Sequence, residues 1–167
     1  QPGDLDARLL AAQTARRRKA FDEFQAHIAI YKRQNGPERG RAREYRFLRM
    51  HRGDLSEAGH HLEAAAAAPD EPESALALEA VIEGALAAVD ARSGQSSRRP
   101  AGPSDPNVIV ARQAVELWLA SRLGGPDQIQ GLIWRGRVRA AAGEYAASLQ
   151  DFREALRRDP DHFDARY

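Results

Sequence analysis

The residues of this sequence best suited to catalysis or metal binding are its histidines and the carboxylates beside them. The five histidines are His27, His51, His60, His61 and His162. Glu57 and His61 stand four residues apart, so a helix would place them on one face as two possible metal ligands. His60 and His61 are adjacent and point in different directions on a helix, and the HExxH spacing of zinc enzymes does not occur. The sequence therefore predicts no metal site.

Other catalytic arrangements are also missing from the sequence. It contains no glycine-rich phosphate loop and no nucleophile elbow. Glu79 and Glu83 are four residues apart, but on a helix they fit a solvated acidic stripe better than a buried acid–base pair. The absence of cysteine excludes disulfides and thiolate metal sites. We therefore expect a protein that is not an enzyme and that has no catalytic residues and no cofactor.

The other side chains that could bind a ligand by charge are mostly arginines, since 23 of the 25 basic residues are arginine. Together with abundant alanine, this composition is typical of a GC-rich bacterial genome. The net charge of +1 hides a strong segregation, since residues 1–52 carry +7, residues 53–90 carry −9 and residues 91–167 carry +3. Such a dipolar distribution affects how ligands are attracted rather than how the chain folds.

The basic segment allows three interpretations. Its cations lie at Arg16, Arg17, Arg18, Lys19, Arg39, Arg41, Arg43, Arg46, Arg49 and Arg52. Pairing of this surface with the acidic segment that follows is the simplest interpretation, and an acidic protein or peptide partner is the second. Nucleic acid would suit arginines interleaved with Tyr45 and Phe47, but the acidic residues 53–90 would repel phosphate. We expect a protein or peptide partner that carries acidic and apolar residues, and no nucleic acid.

Apolar residues recur at helical spacing along most of the chain. In the clearest period, residues 129–162, one helical run ends at Gly143, a second begins at Glu144 and Tyr145, and Pro160 stops it. A glycine at the end of a helix predicts a positive φ at Gly143. Two short helices joined by a turn form a helical hairpin, so the sequence predicts an all-α fold.

This period resembles the tetratricopeptide repeat. The residues that carry the resemblance are Gly136, Gly143, Tyr145, Phe152, Ala155, Leu156 and Pro160, which fall at the spacing of that family. The resemblance implies an α-solenoid of helix-turn-helix repeats wound as a right-handed superhelix. The family binds proteins and peptides, so the resemblance also implies a non-catalytic interaction scaffold.

On this basis the whole chain, residues 1–167, is expected to form one repeat array. The repeats are 5–38, 39–72, 73–128 and 129–162, and residues 163–167 would start a further helix. The third repeat carries an inserted loop at 93–106, whose Ser, Gly and Pro content predicts mobility and trypsin cleavage at Arg98 or Arg99. Its first helix, residues 73–92, is apolar on most of its circumference and should be buried on several sides.

In the tetratricopeptide family the first helix of each repeat lines a concave groove. By that resemblance the groove candidates are Leu9, Gln13, Arg16, Arg17, Arg43, Phe47, Met50, His51, Val81, Ile133 and Arg137. Such a groove would be basic at its N-terminal end and apolar toward its C-terminal end. Leu9 and Gln13 stand where chaperone-binding members carry Lys and Asn, so clamping of a peptide's C-terminal carboxylate is disfavoured. Trp118 and Trp134 are expected in the core rather than at a ligand.

Two other functions remain open from the sequence. The first is self-association through the apolar helix of residues 73–92 or through the open C-terminal face. The second is a regulatory region attached to an enzyme that lies elsewhere in the same, longer chain. The chain begins with Gln1 and shows no signal peptide, so we read it as a piece of a longer bacterial protein, either cytoplasmic or exported. No apolar run reaches the roughly 18–20 residues that a membrane-spanning helix needs.

Overall fold

The computed structural model describes residues 5–93, 100–121 and 125–162. These residues form eight α-helices and no β-strand, which confirms the predicted all-α class. The helices are α1 (Leu5–Arg17), α2 (Phe21–Arg33), α3 (Glu38–His51), α4 (Ala58–Ala67), α5 (Pro72–Ser93), α6 (Pro106–Ser121), α7 (Gly125–Ala142) and α8 (Tyr145–Arg158). None of these eight helices combines the length and the apolar character needed to cross a bilayer.

Contacts divide the chain into two compact units, unit 1 (Gln1–Arg49) and unit 2 (Met50–Tyr167). The boundary falls inside α3, close to its C-terminal end. The helices fall two to each predicted repeat, while the single array over residues 1–167 stays a prediction. The further helix expected at residues 163–167 lies outside the described residues.

The core of unit 1 joins α1, α2 and α3. Ala12 and Ala15 of α1 meet Phe24 and Ile28 of α2, with Leu48 of α3 in the same cluster. The two alanines allow α1 and α2 to approach closely, because a larger side chain at either position would hold the helices apart. Burial of these apolar faces, rather than helix propensity alone, therefore fixes the three-helix arrangement.

The core of unit 2 is built around α5. Its apolar residues Leu78, Val81, Ile82, Leu86 and Val89 are all buried, so the prediction of a helix covered on several sides is confirmed. Neighbouring helices α4, α6 and α7 pack against it. Close approach also requires a glycine, because a Cβ atom placed on Gly84 would lie 1.9 Å from the backbone oxygen of Met50.

Residues with positive φ end several of the helices. Gly143 has a φ of 85°, as predicted, and separates α7 from α8. Lys19 and Asn35 each have a φ of 59°, and they stand just after α1 and α2. The sequence did not identify these two positions, because neither carries the glycine that normally marks a left-handed residue.

The second part of the predicted loop is anchored to its surroundings. The backbone N–H of Gly102 donates to the carbonyl oxygen of Ala141 at the end of α7, with N and O 3.1 Å apart. Asp105 accepts from the backbone N–H of Asn107, at 2.8 Å, and from Arg92 Nη2, at 2.9 Å. The expectation of mobility is therefore wrong for residues 100–105, where backbone and carboxylate hydrogen bonds hold the segment. Arg98 and Arg99 lie outside the described residues.

Candidate protein-binding surfaces

Three of the groove candidates of unit 1 meet at one buried carboxylate, that of Glu44. Its oxygens accept hydrogen bonds from Arg16 Nε (3.3 Å), Gln13 Nε2 (3.1 Å) and Arg43 Nε (3.3 Å). The Arg16 guanidinium also lies 5.3 Å from the centre of the Phe47 ring. The structure thus brings α1 and α3 together through a polar network that the sequence predicted only as separate groove residues.

This network belongs to the interior of unit 1 rather than to an open groove. The side chains of Arg16 and Glu44 have no exposed surface, and neither does Phe47. Burying two charges is costly, and their attraction and hydrogen bonds offset that cost only while both remain in place. Of the candidates in this unit, only Leu9, Gln13, Arg17 and Arg43 retain solvent-accessible surface.

The groove candidates of unit 2 are mostly in its core. Met50, His51, Val81 and Ile133 are all buried. Val81 and Ile133 belong to α5 and α7, and each of these helices packs against neighbouring helices of the unit. Only Arg137 is partly exposed, with 36% of its side-chain surface accessible, and it lies 3.4 Å from Glu83 and 3.6 Å from Asp90. A buried side chain cannot contact a ligand unless the helices separate, so these four residues do not enter the function proposed below.

The two tryptophans lie in the core of unit 2, as expected. Trp118 and Trp134 meet edge to face with their ring centroids 4.9 Å apart. Trp118 Nε1 donates to the carbonyl oxygen of Asp127 at 2.8 Å, and Trp134 Nε1 donates to Glu83 Oε1 at 2.6 Å. Glu79 is buried as well, so the solvated acidic stripe predicted for Glu79 and Glu83 is wrong. Glu83 is partly buried, because its carboxylate accepts the hydrogen bond of the buried Trp134 ring.

The histidines are distributed over several environments. His51 and His61 are buried, whereas His60 is exposed on α4 with its ring centroid 5.8 Å from that of His61. Within the described parts of the chain, no three histidine, aspartate or glutamate side chains are grouped so that they could hold a metal ion.

The last helix, α8, carries two large exposed apolar residues, while no other helix that the structure describes carries more than one. Tyr145 and Leu149 are 57% and 54% exposed, and they lie four residues apart on one side of the helix. Half-buried Phe152 and Leu156 continue the same line. We call these four residues the α8 stripe. The other large exposed apolar residues, such as Leu10 and Ile109, stand singly on their helices.

The opposite face of α8 is fixed to α7 by a buried carboxylate. Asp151 is 3% exposed and accepts hydrogen bonds from Arg135 Nη2 and Arg139 Nη1, both at 2.7 Å. These ion pairs hold the Asp151 side of α8 against α7, while Tyr145 and Leu149 lie on another side of the helix and are exposed. Within the stripe, Phe152 packs on α7 above Gly136, where an added Cβ atom would come within 2.8 Å of its ring.

The stripe is bordered by arginines. Arg153 is exposed and forms no ion pair with any residue that the structure describes. Arg157 and Arg158 both donate to Glu154, at 2.8 and 2.7 Å between Nε and a carboxylate oxygen. These hydrogen bonds, with that of Arg157 the strongest influence, lower the pKa of Glu154 to about 2. The border of the stripe is therefore positively charged at neutral pH.

Sequence reasoning named Tyr145 only as a residue that opens the second helix of the clearest repeat. The apolar spacing of the α8 stripe is visible in the sequence, but the sequence does not show that this line remains uncovered.

No family model matches this chain, and the comparisons with curated proteins and with solved structures also gave no match.

Proposed function

We propose that this chain is a non-catalytic protein-binding scaffold that holds an amphipathic helix of a partner protein on the α8 stripe. The observation that carries the proposal is the exposure of Tyr145 and Leu149 side by side on α8. Exposed apolar groups that are contiguous and bordered by charge are typical of protein interaction sites. Tyrosine is enriched among the residues that dominate interface energies, and amphipathic helices bind by laying their apolar face on an apolar surface.

We propose a right-handed α-solenoid of tetratricopeptide-like hairpins as the architecture of the scaffold. In unit 2, consecutive helices pack in chain order, α4 on α5, α5 on α6, α6 on α7 and α7 on α8. Further contacts join α4 to α6 and α5 to α7. This pattern supports the proposal because stacked hairpins contact only the adjacent ones.

The apolar groups of the stripe supply most of the proposed affinity. Fully burying a large apolar side chain contributes about 1.5–3 kcal/mol, so covering the exposed halves of Tyr145 and Leu149 contributes roughly 2–3 kcal/mol together. Phe152 and Leu156 would add the part of their surface that is still accessible. The expected affinity is that of a transient interaction rather than of a permanent complex.

Charge determines which partner fits the stripe. An acidic residue placed beside the apolar anchors of the partner would pair with Arg153, while a second copy of this chain would bring arginines opposite arginines. An exposed pair contributes only about 0–1 kcal/mol, so Arg153 sets selectivity and association rate more than affinity. This charge pattern favours a different protein over self-association, and the burial of α5 removes the other surface considered for self-association.

The proposal is tested by comparing Leu149→Asp with Gln150→Asp. Both positions are exposed, adjacent and given the same charge, but only Leu149 belongs to the stripe. The tagged chain and its two variants are incubated with cell extract, and bound proteins are quantified by mass spectrometry. We expect Leu149→Asp to lose a protein that wild type and Gln150→Asp retain.

Retention of every bound protein by Leu149→Asp would refute the proposed function. Sedimentation equilibrium gives an independent measurement on the purified chain. A mass that rises with concentration in wild type and Gln150→Asp, but not in Leu149→Asp, would assign the stripe to self-association instead.

A further inference from the structure

A second surface lies within unit 1, between α2 and α3. Its lining residues are Gln25, Ile28, Ala29, Lys32, Arg41 and Tyr45. The first four follow one face of α2, at spacings of three and four residues, and the last two lie one turn apart on α3. We call this surface the α2–α3 groove. It is distinct from the α8 stripe, which belongs to unit 2.

The apolar floor and one wall of the groove are already fixed in position. Ile28 forms the floor and is held in the core of unit 1. Tyr45 forms the wall, with its ring edge-on to Phe24 at 5.7 Å between centroids and its hydroxyl donating to Gln25 Oε1 at 3.0 Å. A ligand therefore meets an ordered surface and does not have to immobilise these side chains.

The bond to Tyr45 also orients the amide of Gln25. Since its oxygen accepts from the tyrosine hydroxyl, its NH₂ group is the donor that remains. That group donates to no other described residue. It is free to bind a carbonyl oxygen of a ligand backbone.

The charged groups that line the groove are cations only. The Lys32 side chain is exposed and forms neither an ion pair nor a hydrogen bond within the part of the chain that the structure describes. Arg41 pairs with Glu38, whose side chain lies outside the lining and is 71% exposed. Residues 5–49 hold 12 basic and 5 acidic residues, and one of those acids, Glu44, is buried beside Arg16. The groove therefore lies in a positive field.

We infer that the α2–α3 groove binds a segment of a protein that carries a carboxylate side chain next to an aliphatic one. The carboxylate would lie between Lys32 and Arg41, and the aliphatic side chain would pack on Ala29 and the Tyr45 ring. The NH₂ group of Gln25 would donate to the backbone of the segment. Cations over an aliphatic floor favour this ligand over single-stranded nucleic acid, which is typically held by several stacking aromatic rings.

The test uses the ¹⁵N-labelled full chain and two probe tripeptides with blocked ends, Glu-Leu-Glu and Gln-Leu-Gln. Peptide is added while amide chemical shifts are recorded. We expect Glu-Leu-Glu to shift the amides of α2 and α3 around Gln25, Ala29 and Tyr45, with a millimolar Kd, and Gln-Leu-Gln to bind more weakly.

Lys32→Gln and Arg33→Gln provide a matched pair of variants. The two residues are neighbours on α2, both are exposed, and each substitution removes one positive charge, but only Lys32 lines the groove. We expect Lys32→Gln to weaken Glu-Leu-Glu binding about three- to fivefold, the range for one exposed charge pair, and Arg33→Gln to change it much less. Unchanged far-ultraviolet circular dichroism would show that both variants fold.

Three results would overturn the inference. Equal weakening by Lys32→Gln and Arg33→Gln would mean that the peptide responds only to overall charge. Equal binding of the two tripeptides, or none by either, would exclude a carboxylate site. Binding of oligothymidylate at the same amides, more tightly than Glu-Leu-Glu, would assign the groove to nucleic acid. None of these results bears on the α8 stripe, which Leu149→Asp tests separately.

Discussion

Replacing Gly84 by alanine should destabilise unit 2 through a backbone contact. Gly84 lies in the middle of α5, where it faces the end of α3, and an added Cβ atom would lie 1.9 Å from the Met50 oxygen and 2.7 Å from its carbonyl carbon. Real Cβ atoms essentially never approach closer than 3.0 Å, so two backbones would have to separate by about 1 Å. The atom in the way is not the end of a flexible side chain, and no rotamer change can relieve the contact.

The expected magnitude is a balance of two effects. Alanine is a better helix former than glycine by about 1 kcal/mol, whereas forcing an extra carbon into a packed core costs about 3 kcal/mol where backbone must move. Gly84→Ala should therefore lower the free energy of unfolding by about 2 kcal/mol. For a chain of this length that corresponds to a fall in Tm of about 4–8 °C.

Gly59 provides the matched control. It lies within α4, and an added Cβ atom there would meet nothing within 4 Å. Gly59→Ala should stabilise by up to about 1 kcal/mol and raise Tm by about 2–4 °C, because only the helix propensity changes. Thermal unfolding of both variants, followed by circular dichroism, checks the pair. If Gly84→Ala raised Tm as Gly59→Ala does, α5 would not approach the Met50 carbonyl in the way described.

Two further predictions concern charged groups. Arg16→Met should lower the free energy of unfolding by up to about 3–5 kcal/mol in urea titrations, because it removes the buried cation and leaves Glu44 with only Gln13 and the partly exposed Arg43 as partners. Adding Glu44→Leu should recover much of the loss, and an unchanged stability of Arg16→Met would contradict the buried pair. Glu154 has a pKa of about 2 in the folded chain, below the unfolded value, so its contribution to stability is complete above the unfolded pKa and disappears as pH falls toward 2. Wild type should exceed Glu154→Gln in stability at pH 6 and match it near pH 2, and a difference independent of pH would contradict the hydrogen bonds from Arg157 and Arg158.

The helices were predictable because their signals are local. The helical spacing of the apolar residues and the turn residues between them predicted the hairpin around Gly143. The nearly all-apolar composition of residues 73–92 indicated a helix buried on several sides. The ends of α1 and α2 were harder to predict, since Lys19 and Asn35 adopt left-handed geometry without glycine. Surrounding contacts, rather than the residue type, hold such positions in place.

The candidate surfaces were less predictable because they depend on contacts between distant residues. Arg16 and Glu44 are 28 residues apart, and only the packing of α1 on α3 makes them a buried pair. The groove positions taken from the family resemblance lie on helices, but the resemblance did not predict their exposure. Phe47 and Ile133, for example, are buried. Tyr145 was predicted only as the first residue of a helix, because its exposure depends on what covers α8 and no local pattern shows that.

The anchored segment at residues 100–105 has a consequence for how the molecule opens. In a stack of hairpins joined only by neighbouring faces, the last hairpin can unfold before the others. Here the segment leading into α6 binds the last turn of α7 through Gly102 and Ala141, and Arg112 of α6 binds Glu144 at the start of α8 at 2.6 Å. Fraying of the final hairpin would break contacts that also hold the preceding one. We therefore expect the four helices from α5 to α8 to open as one cooperative unit, so that hydrogen exchange would show their amide protons exchanging together rather than hairpin by hairpin.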